Sequence, residues 1–326
     1  MKHRTFGRTG IQVSEIIFGA GAVGGILVHK DDATKREAIR RALAGGINWF
    51  DTAAQYGNGR SEEALGRLLP EAGATPYLST KFSLDVENLK DVPAQIEERL
   101  GASLARLKRP SVDVLQLHNR IGSKPGGRVM TVEQILGRNG VADGLDRLRE
   151  KGLIRHQGIT AIGEAASVRE VIRSGRFDSA QVYYNLLNPS AGRRMPMAWT
   201  GHDFGGVIEA CRANNVAVMA IRIFGAGIIA TDERHGRESI LTANTSIPEE
   251  ERKTRAVFEA IGTGEGTRAQ IALRFVLSNP DVSAAVIGSA ELHHIDEALQ
   301  AAAMGPLPPQ VLARLDALYE SDFGRV

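Results

Sequence analysis

A short apolar run followed by a longer amphipathic segment recurs about eight times along the chain, and no other feature narrows the possible folds so far. The runs are Glu15–Phe18, Ile47–Thr52, Pro76–Phe82, Val112–His118, Arg155–Thr160, Ser179–Asn185, Val216–Phe224 and Ala284–Gly288. They lack polar alternation, as parallel strands covered on both faces do. Helical spacing fills the intervals: Ala33–Ala44, Ser61–Leu69, Pro93–Leu107, Val141–Lys151, Ala166–Ser174, Gly205–Asn214, Thr267–Ser278 and Leu292–Ala303. Asp91 stands where an N-cap belongs, with Pro93 in the first turn, and Ser167 with Glu170 has capping-box spacing. Gly45-Gly46 and Gly175 follow as stops.

Eight strand–helix units in 326 residues predict an α/β fold, a (β/α)8 TIM barrel, with a doubly wound open sheet as the rival. The residues before Glu15 predict an N-terminal hairpin turning at Arg8-Thr9-Gly10, and Leu307–Tyr319 a helix outside the barrel. No proline-rich or low-complexity linker interrupts the series, so residues 1–326 read as one domain. Two connections are long, Asn119–Gly140 and Leu186–Phe204. Loops after barrel strands are where such enzymes build their sites.

Charge and composition then narrow the function. Forty basic and 38 acidic side chains give a net charge of +2, spread without long runs. That balance offers no field for nucleic acid or an anionic membrane. No window approaches the roughly 20 apolar residues of a membrane span. The single cysteine, Cys211, fits a reducing compartment, and with no signal-type apolar block the expected location is cytoplasmic. Nothing in the sequence speaks to oligomeric state.

Gly19-Ala20-Gly21-Ala22-Val23-Gly24 matches G-x-G-x-x-G, the phosphate loop of Rossmann domains. That function needs a helix opening at the glycines, to hold a pyrophosphate at its N-terminus. The next helical pattern starts only near Ala33, so the motif reads better as a flexible loop at a barrel mouth. His293-His294 lacks a nearby third ligand, so no metal site is expected.

The chemistry-bearing residues gather at three consecutive strand ends. Asp51 and Tyr56 follow the second run, Lys81 closes the third, and His118 closes the fourth. Each has a plain structural explanation taken singly: a strand-end lysine reaches for solvent, and a lone histidine is usually a satisfied core residue. Together they are harder to explain so, because charges near a core are costly unless paired. Reducing a carbonyl by hydride leaves an alkoxide that needs a proton. A phenol titrates near 10, and a neighbouring ammonium favours its phenolate. Asp51 would hold Lys81 in place, and His118 would hydrogen-bond and orient the carbonyl oxygen.

With Phe50-Asp51-Thr52-Ala53, Tyr56-Gly57, Ser79-Thr80-Lys81 and Leu117-His118, the chain resembles the aldo-keto reductase family. The resemblance runs from Phe6-Gly7-Arg8-Thr9-Gly10 to Val286-Ile287-Gly288-Ser289. It implies a catalytic tetrad of Asp51, Tyr56, Lys81 and His118, and an NAD(P)-dependent oxidoreductase acting on an aldehyde, ketone or sugar. It also implies an extended nicotinamide cofactor across the barrel mouth, with Gln181 hydrogen-bonding the nicotinamide amide. A regulatory subunit that binds the cofactor and senses redox state, with little turnover, is the alternative.

Departures from the family pattern shape the remaining expectations. Thr160-Ala161 stands where many members have Ser-Asn, keeping a hydroxyl for the nicotinamide at Thr160 but losing the amide. Ile221-Arg222-Ile223-Phe224 replaces a stacking tyrosine, leaving Arg222 for a pyrophosphate or an anionic substrate. After the eighth run, Gly288, Ser289, Glu291 and His294 are the expected cofactor contacts. Gly288–His294 contains no Lys or Arg to clamp a 2′-phosphate, so the cofactor is expected to be NAD(H) or NADP(H), leaning to NAD(H), although a protonated His294 could meet a phosphate. Phe82, Asn119, Trp199 and Phe224 are the expected substrate-pocket residues.

Overall fold

A computed structural model describes residues 1–326 except Ala22, His235, Arg237 and Val326. Ala22, within the glycine motif, therefore lies outside the described residues. Eight parallel strands form the scaffold: β1 (Ile16–Gly19), β2 (Trp49–Asp51), β3 (Tyr77–Phe82), β4 (Val112–Leu117), β5 (Ile154–Ala161), β6 (Ser179–Tyr183), β7 (Ala217–Ile221) and β8 (Ala284–Gly288). They pair in chain order and close, β8 on β1 and β5 on β6, which excludes the open sheet. Helices α1 (Asp32–Ala44), α2 (Arg60–Glu71), α3 (Val92–Leu107), α4 (Val141–Glu150), α5 (Ala165–Arg173), α6 (Val207–Ala213), α7 (Arg268–Leu277) and α8 (Leu292–Met304) follow the strands. Their starts follow local chemistry: Asp91 caps α3 through Ala94 N, and Thr267 with Gln270 forms a capping box on α7. At α5 the expected box is corrected. The helix begins two residues before Ser167, with Glu164 as its N-cap, and the Ser167 hydroxyl donates to Glu164 inside the first turn.

Side-chain alternation divides the core into two layers, as a closed sheet requires. Ile16, Phe18, Phe50, Leu78 and Leu115 point outward and pack under the helices. Ile17, Trp49, Val114, Met219 and Ala284 point inward at the N-terminal end of the barrel. There the N-terminal hairpin (His3–Thr5 paired antiparallel with Gln12–Ser14) plugs the base with Phe6 and Val13. The Phe6 ring lies 4.7 Å from Trp49. Above this apolar plug the inward positions turn polar, and the site begins.

Several elements fall inside stretches that the sequence reads as loops. Asn119–Gly140 contains a parallel two-stranded ribbon, Arg120–Gly122 with Val129–Thr131, and a short helix, Val132–Leu136. Between β7 and α7 a helix runs over Ile247–Ile261, and the C-terminal helix, Pro309–Glu320, packs against it.

Candidate active site

Strand register assembles the site. Asp51 pairs with Ser79 across β2–β3, Lys81 with Gln116 across β3–β4, and Gln181 with Thr160 across β6–β5. Asp51, Ser79, Lys81, Gln116 and Gln181 converge inside the barrel, and all five are buried. Asp51 Oδ1 accepts from Ser79 Oγ at 2.6 Å, Gln181 Nε2 at 2.9 Å and Gln116 Nε2 at 3.1 Å. Its Oδ2 accepts from Lys81 Nζ at 2.6 Å. The Trp49 indole donates to Ser79 at 3.0 Å, tying this polar layer to the plug below. Gly158 makes room for it: a Cβ there would lie 2.9 Å from Gln116 Cγ.

Lys81 links the buried layer to the mouth. Its ammonium also donates to Thr52 O at 2.8 Å and to the Tyr56 hydroxyl at 3.1 Å. Burial alone would pull this ammonium down, but the Asp51 carboxylate and the Tyr56 oxygen outweigh it and hold it above the usual lysine range. Tyr56 is half-buried and sits on a turn through Gly57, Asn58 and Gly59, three successive left-handed residues. At Gly57, φ is +62° and a Cβ would lie 2.6 Å from Val28 Cγ1, so glycine is needed on both counts. His118 sits edge-on to Tyr56, ring centroids 6.0 Å apart. Burial, then the charges of Lys81 and Arg128, push its imidazole down to about 3. The ring is neutral at physiological pH, and its Nδ1 is buried without a hydrogen-bond partner.

The four residues singled out at the strand ends thus share one cluster, whereas the residues expected around them divide. Gln181 commits an amide N–H to Asp51. Thr160 presents a buried hydroxyl without a hydrogen-bond partner at the end of β5. Arg222 has φ +61° and donates to Ser239 O and Oγ, both at 3.0 Å; burial draws its guanidinium below its ordinary value. Phe82 is buried in the outer core, and Phe224 is half-buried against it. Asn119 does not face the site. Its carboxamide accepts from Leu84 N at 2.8 Å and donates to Leu84 O at 2.9 Å and Arg128 O at 3.3 Å, because the chain after His118 must be tied to the chain after β3. Trp199 packs instead against Phe323, 5.8 Å between ring centroids, with the Lys253 ammonium 5.2 Å over it.

At the end of β8 the structure brings in a residue that the sequence reading missed. Gly288–His294 contains no Lys or Arg, but Lys30, from the β1–α1 connection, reaches Glu291 at 2.5 Å. The same connection packs onto β8: a Cβ on Gly24 would lie 2.7 Å from Ser289 N, and Ile26 N donates to Ser289 O at 3.1 Å. The glycine motif therefore serves a close backbone approach. The short helix after it, Ile26–His29, has Gly25 as its N-cap. His294 Nδ1 accepts from Ala290 N at 3.2 Å and Glu291 N at 3.4 Å. Ser79 and Gln116 were also missed, although each is a polar residue two positions before Lys81 or His118, on the same inward face.

A buried polar layer lies under a half-buried tyrosine and a neutral histidine at the C-terminal mouth of a parallel barrel, the end where such barrels build their sites. The chain belongs to the aldo/keto reductase family, whose model matches residues 15–320. It is 27% identical over 338 residues to a probable voltage-gated potassium channel subunit beta of Arabidopsis thaliana, covering 98% of this chain and 97% of that one. It is 32% identical over 165 residues to L-galactose dehydrogenase of the same plant, 49% of this chain and 48% of the other. A holo-form structure of an aldo-keto reductase from Bacillus halodurans shares the fold at TM-score 0.75 and 22% identity, over 99% of each chain. The chain is therefore an oxidoreductase of a family that uses nicotinamide cofactors on small molecules. Among the described residues no helix is long and apolar enough to cross a membrane.

The residues present fit such a cofactor. The unsatisfied Thr160 hydroxyl is a buried group that a bound carboxamide would satisfy. Gly24 lies against Gly288 and Ser289 with no room for a side chain, and Gly288 is exposed at the mouth.

Proposed function

We propose that this protein interconverts a carbonyl and an alcohol, with Tyr56 as proton donor and acceptor and Asp51, Lys81 and His118 as its partners. The observation that carries this is the chain Asp51–Lys81–Tyr56, 2.6 and 3.1 Å, running from a buried carboxylate to a half-exposed phenol. A bound nicotinamide supplies the hydride in reduction and takes it in oxidation. In reduction the carbonyl carbon gains that hydride, and the Tyr56 hydroxyl gives its proton to the oxygen. The phenolate left behind lies beside the Lys81 ammonium, which Asp51 holds in place. Neutral His118, protonated at Nε2, donates a hydrogen bond to the same oxygen. Oxidation runs these proton steps in reverse.

Thr160 and Gln181 would hold the nicotinamide carboxamide, while Gly288, Ser289 and Glu291 would hold the far end of the cofactor. Glu291 neutralises Lys30 and can accept from a ribose diol, which favours NAD(H) at least as much as NADP(H). A 100-fold preference for NADPH in dissociation constants would overturn that preference. Tyr56→Phe should abolish reduction of aldehydes, ketones and aldoses while nicotinamide binding, read by fluorescence titration, stays close to wild type. Turnover within a few-fold of wild type would remove Tyr56 from the proton-transfer role.

The similarity to a potassium channel subunit beta over 98% of the chain favours a second reading, a redox-sensing subunit with little turnover. One slow oxidation of bound cofactor without steady-state turnover would support it. Sustained turnover would exclude it.

A further inference from the structure

Arg128 has no part in the proton-transfer chain, yet the fold fastens it beside all three strand ends that carry it. Its backbone carbonyl accepts from Arg120 N at 2.9 Å and from the Asn119 carboxamide at 3.3 Å, one residue beyond His118. Its Nη2 donates to Gln55 Oε1 at 3.0 Å, next to Tyr56, and to Ser83 Oγ at 3.3 Å, two residues beyond Lys81. Both side-chain acceptors are neutral. Arg128 forms no ion pair among the described residues, and its Nε and Nη1 N–H groups meet no protein acceptor there. Among the described residues Lys124, in the same Ser123–Arg128 connection, has no carboxylate partner either; Glu164, which touches that connection, is bound to Ser123 N and Oγ. The Arg128 charge reaches the site, where it helps keep the His118 imidazole neutral.

An exposed guanidinium bonded to neutral acceptors at the rim of the mouth keeps donors that can take a charged acceptor. We infer that Arg128 binds a carboxylate on the substrate, so that the preferred substrates are aldehydes or ketones bearing an acidic group. The inference rests on the carbonyl-reductase reading and adds the substrate class to it. It also explains Asn119, whose carboxamide fixes the backbone of the residue that does the binding. The same charge could instead serve the phosphates of a nicotinamide cofactor, so both sources enter the test.

The experiment compares succinic semialdehyde with its methyl ester, at saturating NADH or NADPH, in wild type, Arg128→Gln and Arg128→Lys. Binding of succinate, which cannot react, is measured by calorimetry in the same three proteins. Wild type should prefer the acid over the ester in kcat/KM, more strongly at low salt. In Arg128→Gln that ratio should fall by about 10- to 100-fold, the size of one charged hydrogen bond, and succinate binding should be lost. Arg128→Lys should retain part of both. No preference in wild type, or a ratio within threefold of it in Arg128→Gln, would overturn the inference. So would a weakened cofactor dissociation constant with an unchanged ratio, since the charge would then serve the cofactor. Arg128-dependent succinate binding without any turnover would instead sink the reductase reading and keep this site.

Discussion

Asp51 organises the site more completely than Lys81 does, and the difference is measurable. Its carboxylate accepts from Ser79, Gln116, Gln181 and Lys81. Asp51→Leu would leave a buried ammonium uncompensated and two buried amides without their acceptor. Breaking a buried pair from that side costs about 3–5 kcal/mol. Lys81→Met leaves Asp51 with three donors and should cost roughly half as much in urea unfolding. Equal losses would mean that the network does not anchor on Asp51. His118 makes the second prediction at this scale. With its imidazole pushed down to about 3, kcat/KM should show no limb near 6.5. The sign for stability follows from the same displacement. The folded value lies below the unfolded one, so acid protonates the unfolded chain first, and stability falls as pH drops from about 6.5 toward 3. The stability advantage of wild type over His118→Gln should therefore shrink between pH 7 and 4; a constant difference would contradict the neutral, buried ring.

Elements were legible in the sequence where their burial is simple, and less so where a segment serves only the mouth. The eight strands announce themselves because they are covered on both faces and so carry unbroken apolar runs. The helix Ile247–Ile261 went unread even though Ser246, Pro248 and two acids in its first turn are ordinary start signals. It stands outside the eightfold alternation, so that period has no place for it. Asp51, Tyr56, Lys81 and His118 were legible as polar residues at or just beyond apolar strand ends. Lys30 and Arg128 were not, because each reaches the mouth from a loop whose course no local pattern encodes. The glycine motif shows the same limit, since its purpose is a contact with a strand more than 260 residues away. At Gly24 an added methyl would lie 2.7 and 2.8 Å from backbone atoms of Ser289, which cannot move cheaply. Gly24→Ala should therefore displace the β1–α1 connection, cost about 1–3 kcal/mol, and weaken nicotinamide binding more than tenfold, roughly. Unchanged stability and affinity would separate this loop from the cofactor.

At the scale of the whole molecule, Glu250, on the helix inserted between β7 and α7, is a buried carboxyl outside the proposed proton-transfer chain. It is 6% exposed and lines a small space of about 10 Å³ with Tyr183, Asn188, His202, Thr245 and Lys253, room for about one water. Burial raises its carboxyl to about 7 against the smaller opposing pull of Lys253 and Arg222. Its folded value thus lies above its unfolded value, and the folded chain holds the proton more tightly. The stability this group contributes is complete below about 4.5 and is lost as pH rises through about 7. Glu250→Gln keeps the shape and removes the titration. The stability of wild type relative to this variant should fall by about 2–3 kcal/mol between pH 4.5 and 8, measured by urea unfolding. Because α7 and the C-terminal helix both adjoin this insertion, the loss should appear in global unfolding rather than in a separate local step. A difference that stays flat with pH would mean that solvent reaches the carboxyl, and that the inserted helix does not seal the end of β6.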